Sequence, residues 1–357
     1  SPGREFTDIL IKHVQQNTLK LVYSDPQGNE ELREAICGIA QRLRGVRARP
    51  EQVIVTSGSQ LGLLMCLKIL FSPGDKVWIE DPQYPLLRAA TKTHDIVPVY
   101  VPVDNEGFNL QTALALEPNA KGVFLTPSHQ CPLGMLMSIQ RRRNILQWAS
   151  ESGGWIVEDD YDSELRYGGN LAYPSLQGMD SGNNVIYVGT FSKSLFPGLR
   201  LGYMVVPEEL VKPFSGMRFL IDRQSNEILQ MAVAEFIKTG LYETHLLKMR
   251  RIFEARRDYL IQAVQENFGD WGKFIATGQG MHLTFVFNNS DINDEAVADL
   301  CRRQGVELRS ISSFSIGTPL YKGLIMGFGH FPPAQLLAAV SRIGFVLRDK
   351  FAAFGPN

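Results

Sequence analysis

The sequence has no excess of positive charge, the first of several features that it lacks. It contains 36 Lys and Arg residues against 37 Asp and Glu residues, which gives a formal net charge of −1. A surface that neutralises the phosphates of DNA or RNA needs a clear basic excess. We therefore expect no direct nucleic-acid binding by the chain as given.

Cysteine is scarce, and long apolar runs are absent. The cysteines form no CxxC pair and have no histidine at metal-ligand spacing, so we expect neither a disulfide framework nor a metal site. They are Cys37, Cys66, Cys131 and Cys301. No run approaches the roughly 18 to 20 apolar residues that cross a bilayer, and no signal peptide opens the chain. These absences favour a cytoplasmic protein. Because the chain begins without Met, we also expect it to be a trimmed chain or one domain of a longer protein.

The sequence is rich in short apolar runs that alternate with helical patterns. Hydrophobic residues make up 44% of the 357 residues, enough for two subdomains. Strand-like runs lie at 52–57, 75–80, 121–126, 154–159, 184–190 and 201–206. Helical patterns separate many of them, for example at 31–44, 60–70 and 141–152. This alternation predicts a mostly parallel sheet covered by helices on both faces, with ligands at the carboxyl ends of its strands.

The pattern changes after about residue 215. A long helical segment runs over 223–268, followed by apolar runs at 282–287 and 323–328, which indicates a smaller C-terminal α+β domain. We predict three parts. They are an N-terminal segment (1–29) that packs with the small domain or a dimer partner, a large domain (30–245) and a small domain (246–357).

One lysine stands at the end of a predicted strand, in "YVGTFSKSLFPGLRLGY" (187–203). A free lysine has a pKa of about 10.4 and is not nucleophilic at neutral pH. Desolvation or a nearby cation such as Arg200 would lower that pKa and allow Lys193 to form a Schiff base with a carbonyl. The alternative is an ordinary surface lysine at the start of a helix.

Three other motifs also follow strand ends, and each has an ordinary structural explanation. "VEDDYDSELRY" (157–167) offers carboxylates that could pair with a protonated ring nitrogen, or merely cap a helix. "TSGSQLGLL" (56–64) offers backbone N–H groups and a helix N-terminus as an anion site. "EDPQYPLLR" (80–88) offers an aromatic ring that could stack on a planar ligand or pack in the core. With the lysine, these motifs match the requirements of pyridoxal 5′-phosphate.

The motifs resemble those of the aspartate-aminotransferase superfamily of fold type I pyridoxal-phosphate enzymes, over essentially the whole chain. More narrowly, the chain is similar to the aminotransferase-like effector domain of MocR/GabR-type regulators of the GntR family. That likeness rests on "TPSHQCPLG" (126–134), "VEDDYDSELRY" and "YVGTFSKSLFPGLRLGY", supported by "YSDPQGNEELREAI" and "EDPQYP". The resemblance implies a large domain with a mostly parallel seven-stranded sheet and a smaller C-terminal α+β domain.

The resemblance also assigns roles to individual residues. Lys193 would form the Schiff base with the cofactor, and Lys193 and Tyr161 would be the catalytic residues. Asp159 would pair with the pyridine nitrogen, with Asp160 as its rival, and Tyr161 would contact the phenolic oxygen. Tyr84 would stack on the ring. The phosphate would be held by Gly58, Ser59, Gln60, Thr190, Ser192 and Arg200, joined by Tyr23 from the neighbouring subunit of a homodimer.

The chain departs from the family pattern at two places. Cys131 stands in "CPLG", where aminotransferases usually have the asparagine of "NPTG", and His129 of "SHQ" (128–130) would take over that region. The arginine that usually binds the substrate carboxylate is also absent, because Gly323, Leu324 and Ile325 occupy its expected place. Arg88 or Arg309 could replace that arginine. Alternatively, backbone and hydroxyl groups could hold a small amino acid, or the protein could sense the cofactor alone.

Three functions are consistent with these residues. The first is an effector domain that binds an amino acid or amine as an external aldimine and switches an attached N-terminal winged-helix DNA-binding domain. The second is a free-standing aminotransferase that moves an amino group from an amino acid to a 2-oxo acid. The third is a scaffold that has lost the cofactor. The missing arginine favours the regulator with weak or partial transamination, because a poorly oriented Cα–H bond lowers rate more than binding.

Overall fold

The computed structural model describes residues 3–16, 23–168 and 173–355. The strands are β1 (Val53–Thr56), β2 (Lys76–Asp81), β3 (Val97–Asp104), β4 (Gly107–Phe108), β5 (Gly122–Leu125), β6 (Trp155–Asp160), β7 (Val185–Thr190), β8 (Gly202–Val205), β9 (Gly272–Ile275), β10 (His282–Phe287), β11 (Arg309–Ser310) and β12 (Gly323–Gly327). The α-helices are α1 (Gly3–Gln15), α2 (Glu30–Arg44), α3 (Ser59–Leu70), α4 (Pro85–Thr93), α5 (Leu110–Leu116), α6 (Ile139–Ser152), α7 (Leu176–Met179), α8 (Val211–Ile221), α9 (Glu227–Lys238), α10 (Leu241–Phe268), α11 (Asp294–Arg303) and α12 (Pro333–Lys350).

The large sheet has the strand order β1-β8-β7-β6-β5-β2-β3-β4. Strands β7, β6, β5, β2 and β3 pair in parallel, whereas β8 runs antiparallel to both of its neighbours. The predicted mostly parallel seven-stranded sheet is confirmed, and the two-residue β4 extends its edge. The six strand-like runs of the sequence each fall on one of these strands. The sequence did not predict β3, because Pro98 and Pro102 interrupt its apolar pattern. Prolines in a sheet are confined to positions near its edge, and β3 lies next to the edge strand β4.

Helices bury both faces of this sheet. Alternate residues of each strand point to opposite faces, so Val53 and Val55 pack under α2 and α9, while Ile54 packs under α3. Strands β1, β5 and β7 are buried along their whole length. Burial on both sides explains why these strands appear in the sequence as continuous apolar runs.

The small sheet is antiparallel, with the order β11-β12-β10-β9. Helices α10, α11 and α12 cover one face in a separate core that includes Phe285, Leu324 and Leu347. The prediction of one long helix over 223–268 is wrong, because α9 and α10 are separated at Gly240, whose φ of 76° is left-handed. Glycine adopts this conformation without steric cost and therefore marks the break.

The N-terminal helix α1 packs on α9. Phe6 and Phe236 meet edge to face with ring centroids 5.4 Å apart, and Lys12 forms an ion pair with Glu235 at 2.7 Å. The predicted division into 1–29, 30–245 and 246–357 stays a prediction, and its second boundary falls inside the continuous helix α10. Within the described ranges, no helix combines the length and apolar character needed to cross a membrane.

A buried ion pair joins the end of α2 to the end of β6. Arg44 Nε donates to Asp160 Oδ2 at 2.6 Å, and both side chains are about 2% exposed. Tyr187 donates to the same oxygen at 2.7 Å. Burial alone would raise the pKa of Asp160, but the Arg44 guanidinium keeps it below its usual value. Asp160 is therefore a charged, fully paired group beneath the functional edge of the sheet.

We expect Arg44→Met to lower the free energy of unfolding by roughly 3–5 kcal/mol, because it leaves the Asp160 carboxylate buried without its cation. Urea unfolding of the purified protein measures this change. The control is Arg302→Met, which removes an exposed ion pair with Asp299 and should change stability by no more than about 0.5 kcal/mol. Equal effects of the two substitutions would contradict a structural role for the Arg44–Asp160 pair.

Candidate functional site

A cavity of about 540 Å³ lies at the carboxyl ends of the large-sheet strands, and the small sheet forms its other wall. Most of the residues predicted from the sequence meet there. They are Ser59, Gln60, Tyr84, Asp159, Tyr161, Thr190, Ser192, Lys193 and Arg200. They come from the last residues of β6 and β7 and from the segments that follow β1, β2, β6 and β7, as expected for a mostly parallel sheet.

Strand alternation at the end of β6 separates the two candidate aspartates. Asp159 lines the cavity, whereas Asp160 points to the opposite face and pairs with Arg44. Asp159 Oδ1 is buried and has no hydrogen-bond partner among the described residues. A buried polar atom without a partner needs an explanation, and a protonated ring nitrogen in the cavity would supply one. The geometry thus favours Asp159 over Asp160 for that contact.

The environment of Asp159 favours the protonated form of its carboxyl group. Burial, followed by the negative charges of Asp160, Asp162 and Glu80, raises the pKa of Asp159 to about 7. A positively charged ligand group beside Asp159 would reverse this effect, because an opposite charge favours the ionised form.

The lysine predicted as the Schiff-base residue lies just after β7. Its loop is held by a bond from the backbone N–H of Phe191 to the Leu201 carbonyl at 3.1 Å, and by Thr190 Oγ1, which lies 3.1 Å from Ser192 Oγ. Lys193 itself is exposed to the cavity, and its amine has no hydrogen bond or ion pair within the described part of the chain. The anchored loop therefore presents a free amine to a ligand.

A group of hydrogen-bond donors suited to an anion lies at the start of α3, next to the same cavity. Gly58 caps the helix with a φ of 104°, and a Cβ atom there would lie 3.3 Å from Arg200 Nη2. Arg200 donates to the Ser57 carbonyl at 2.9 Å, which brings its guanidinium to the helix N-terminus. Backbone N–H groups, a guanidinium and the hydroxyls of Ser59 and Thr190 are suitable donors for a phosphate.

Two of the predicted residues that line the cavity are tyrosines. Tyr84, half-buried, precedes α4 and lines the cavity. Burial, with a contribution from Asp162, raises the pKa of Tyr161 well above its usual value, so that its phenol stays protonated and able to donate.

Three predicted site residues do not line the cavity: Gly58, which adjoins it as the residue before α3, and the more distant His129 and Tyr23. His129 is buried behind Tyr161, with Nδ1 2.8 Å from Asp162 Oδ1 and 3.1 Å from the Tyr161 hydroxyl. It therefore contacts the site through Tyr161 and through His282, a cavity-lining residue whose ring centroid lies 5.2 Å from that of His129. Tyr23 is 73% exposed, and the Arg223 guanidinium lies 3.8 Å from its ring centroid. The predicted role of Tyr23 in a neighbouring subunit stays a prediction. The six residues before it (17–22) lie outside the described residues.

The small-sheet wall includes residues that the sequence did not identify as functional. His282 lines the cavity with Nε2 3.0 Å from the Pro132 carbonyl, and burial, then His129, lowers its pKa to about 4. It is thus neutral at physiological pH. A single histidine at the start of a strand is usually a core residue, so the sequence offered no specific signal. Phe314 and Leu308 also line this wall.

Gly323, Leu324 and Ile325, which stand where the family usually has an arginine for the substrate carboxylate, belong to the same small sheet. Gly323 packs against the Phe285 carbonyl and Leu324 is buried in the core, whereas Ile325 faces the cavity. Of the two alternative cations named from the sequence, Arg309 lines the cavity and Arg88 does not.

Comparison with known proteins identifies two groups of similar chains. The family description "Aminotransferase class I and II" matches residues 7–326. The probable rhizopine catabolism regulatory protein MocR of Rhizobium meliloti is 35% identical over 358 residues, which cover 99% of this chain and 70% of that protein. The uncharacterized HTH-type transcriptional regulator YdeL of Bacillus subtilis is 35% identical over 88% of this chain and 67% of its own length.

A solved structure with the same fold is an enzyme. Kynurenine aminotransferase of Pyrococcus horikoshii, crystallised with PMP, superposes with a TM-score of 0.88 over 97% of this chain and 87% of that chain, at 25% sequence identity. The two regulators are thus more similar in sequence, while the enzyme shares the whole fold.

The pKa of Asp159 leads to a pH-dependent prediction for the cofactor-free protein. Because the folded state binds this proton more tightly than the unfolded chain, ionising Asp159 costs stability, and the contribution of Asp159 to stability should fall as pH rises from about 4 to about 7. Asp159→Asn lacks this titration. We therefore expect the variant to gain stability relative to wild type as pH rises, by roughly 1.4 kcal/mol for each unit of pKa shift.

Urea unfolding at a series of pH values between 5 and 8 measures this difference. Asp349→Asn, at an exposed position, is the matched control and should show a difference from wild type that does not vary with pH. A constant difference between wild type and Asp159→Asn over that interval would contradict the raised pKa.

Proposed function

Because the chain belongs to the class I and II aminotransferase family, we propose that it is the effector-sensing part of a MocR-type transcription regulator that uses pyridoxal 5′-phosphate to bind an amino acid or amine. One observation supports this proposal above all. The free amine of Lys193, the unpartnered Oδ1 of Asp159 and the anion site at Gly58 line or adjoin one cavity.

The cavity residues fit the cofactor group by group. When bound, pyridoxal phosphate supplies an aldehyde that reacts reversibly with primary amines and a ring that delocalises negative charge. Asp159 would hold a proton on the ring nitrogen, and that positive charge would in turn keep Asp159 ionised. The anion site with Arg200 would hold the phosphate, and the Tyr161 phenol would donate to the ring oxygen.

Lys193 has two proposed roles. Its amine would hold the cofactor through the cofactor's carbonyl group, for which a primary amine of the effector would compete. When it is not engaged there, the Lys193 amine would be placed to accept a proton from the Cα atom of a bound compound. A regulator needs only the exchange of amines, whereas a transaminase also needs the proton transfer.

Sequence similarity supports the regulator over the free-standing enzyme. The two regulators are 35% identical to the chain, against 25% for the aminotransferase structure. The chain spans about 70% of the length of MocR and 67% of YdeL. We propose that the complete protein carries an N-terminal winged-helix domain that binds DNA. The aminotransferase fold keeps transamination as the second candidate function.

We also propose that the protein acts as a homodimer. Tyr23 and Arg223 stack beside an exposed apolar surface at the end of α8. That surface consists of Phe219, Leu220 and Ile221, which are 46%, 77% and 48% exposed. A second copy of the chain that covers these side chains would remove apolar area from water.

The role of Lys193 is tested by reconstitution with pyridoxal phosphate. Wild-type protein should gain a visible absorbance band that borohydride bleaches, and mass spectrometry should then find the cofactor on the peptide that contains Lys193. Lys193→Ala should show neither signal. Lys248→Ala is the matched control, because Lys248 lines a neighbouring cavity of about 400 Å³ that also reaches Lys193. An unchanged band in Lys193→Ala would refute the assignment.

The choice between sensor and enzyme is tested by adding a 2-oxo acid. Any amino acid or amine that shifts the absorbance band of the reconstituted protein should do so without sustained formation of a new amino acid, because a sensor requires exchange but not turnover. Chromatographic detection of amino acid products over many cofactor equivalents measures this. Multiple turnovers at rates typical of enzymes, about 1–1000 s⁻¹, would favour the aminotransferase instead.

A further inference from the structure

The cavity has three cationic side chains among its described lining residues, and the proposed cofactor uses only two of them. Lys193 and Arg200 serve the carbonyl and phosphate groups, which leaves Arg309. Arg309 makes no hydrogen bond or ion pair through its side chain within the described ranges, and its guanidinium lies 5.9 Å from the centroid of the Phe314 ring. An arginine exposed to a cavity without a partner is available to bind an anion.

The neighbouring acidic residue does not neutralise this arginine. Glu307 also lines the cavity, but its carboxylate lies 3.3 Å from Arg302 Nε on the surface side. The negative charge of Glu307 would also disfavour a ligand with several negative charges. Because Arg309 is the available cation and Glu307 is a nearby negative charge, this part of the cavity suits a ligand group with a single negative charge.

The strand register places Arg309 in apolar surroundings. Arg309 on β11 lies directly opposite Ile325 on β12, and directly opposed residues of paired strands share one face of the sheet. Leu308, Phe314 and Ile325 line the same wall. A short aliphatic chain could pack on these residues while its charged end meets the guanidinium.

We propose that Arg309 binds a carboxylate of the effector, so that the effector is an amino compound with a single carboxylate joined to its amine through a short aliphatic chain. This inference rests on the proposed function, which places the amine of the effector at Lys193. A planar guanidinium can bind both oxygens of a carboxylate at once, which adds geometric specificity to the charge attraction.

The test uses protein loaded with pyridoxal phosphate and matched pairs of amines. L-alanine, D-alanine, 3-aminopropanoate and 4-aminobutyrate are each titrated beside the corresponding carboxamide, which has the same shape without the charge. In wild type, at least one acid should bind at least about tenfold more tightly than its amide. Arg309→Ala should weaken that acid roughly 10- to 100-fold and leave the amide unchanged.

Two further variants control for position and charge. Arg88→Ala removes an arginine outside the cavity and should keep the preference for the acid. The double variant Arg309→Ala/Ile325→Arg returns a cation to the directly opposed strand position and should recover part of that preference. The absorbance band that depends on Lys193 should be present in every variant, which verifies that the cofactor site is intact. A preference for the acid that survives Arg309→Ala, or its absence in wild type, would overturn the inference.

A second measurement separates this inference from the proposed function. Butanoate carries the carboxylate but no amine, so its binding does not depend on exchange at Lys193. It should raise the melting temperature of the loaded wild-type protein and not that of Arg309→Ala. If no amine shifts the absorbance band, the proposed function fails, yet a butanoate effect that requires Arg309 still supports the carboxylate site. Equal effects of butanoate on both proteins would contradict that site.

Discussion

The ion pair between Arg44 and Asp160 is the constraint on which the rest of the site depends. It ties α2 to the last residue of β6 with both side chains excluded from water. Because Asp160 is neutralised on one face of the sheet, its neighbour Asp159 is left as the unpaired carboxylate on the other. Burial, and after it the negative charge of Asp160, raises the pKa of Asp159. The cofactor-free site therefore contains a carboxyl group whose ionised form a cationic ring nitrogen would stabilise.

The two sheets contribute different chemical groups to the cavity. The large sheet supplies the groups suited to the cofactor, namely Asp159, Lys193 and the anion site at the start of α3. The small sheet supplies a different wall, with the neutral His282, several apolar side chains and Arg309. Such a division is consistent with a family that contains both enzymes and parts of regulators.

The sequence predicted the large sheet and its functional edge well, for a physical reason. Strands buried on both faces must be apolar along their whole length, so β1, β5 and β7 were visible as continuous runs. The polar residues that follow them could then be assigned to one edge. The sequence did not predict β3, because the prolines of that strand are typical of a loop. It also did not predict the break at Gly240, because a single glycine within a helical pattern does not specify where a helix ends.

The sequence by itself determined which chemical groups are present: an amine, an acidic pair, an aromatic ring and a glycine-rich turn, each after a strand. Only the tertiary structure decided which of them face one another. Strand alternation chose Asp159 over Asp160, the packing of Tyr161 placed His129 behind the cavity wall, and the β11–β12 register set Arg309 opposite Ile325. These orientations depend on contacts between residues far apart in the chain, and local sequence patterns do not reveal such contacts.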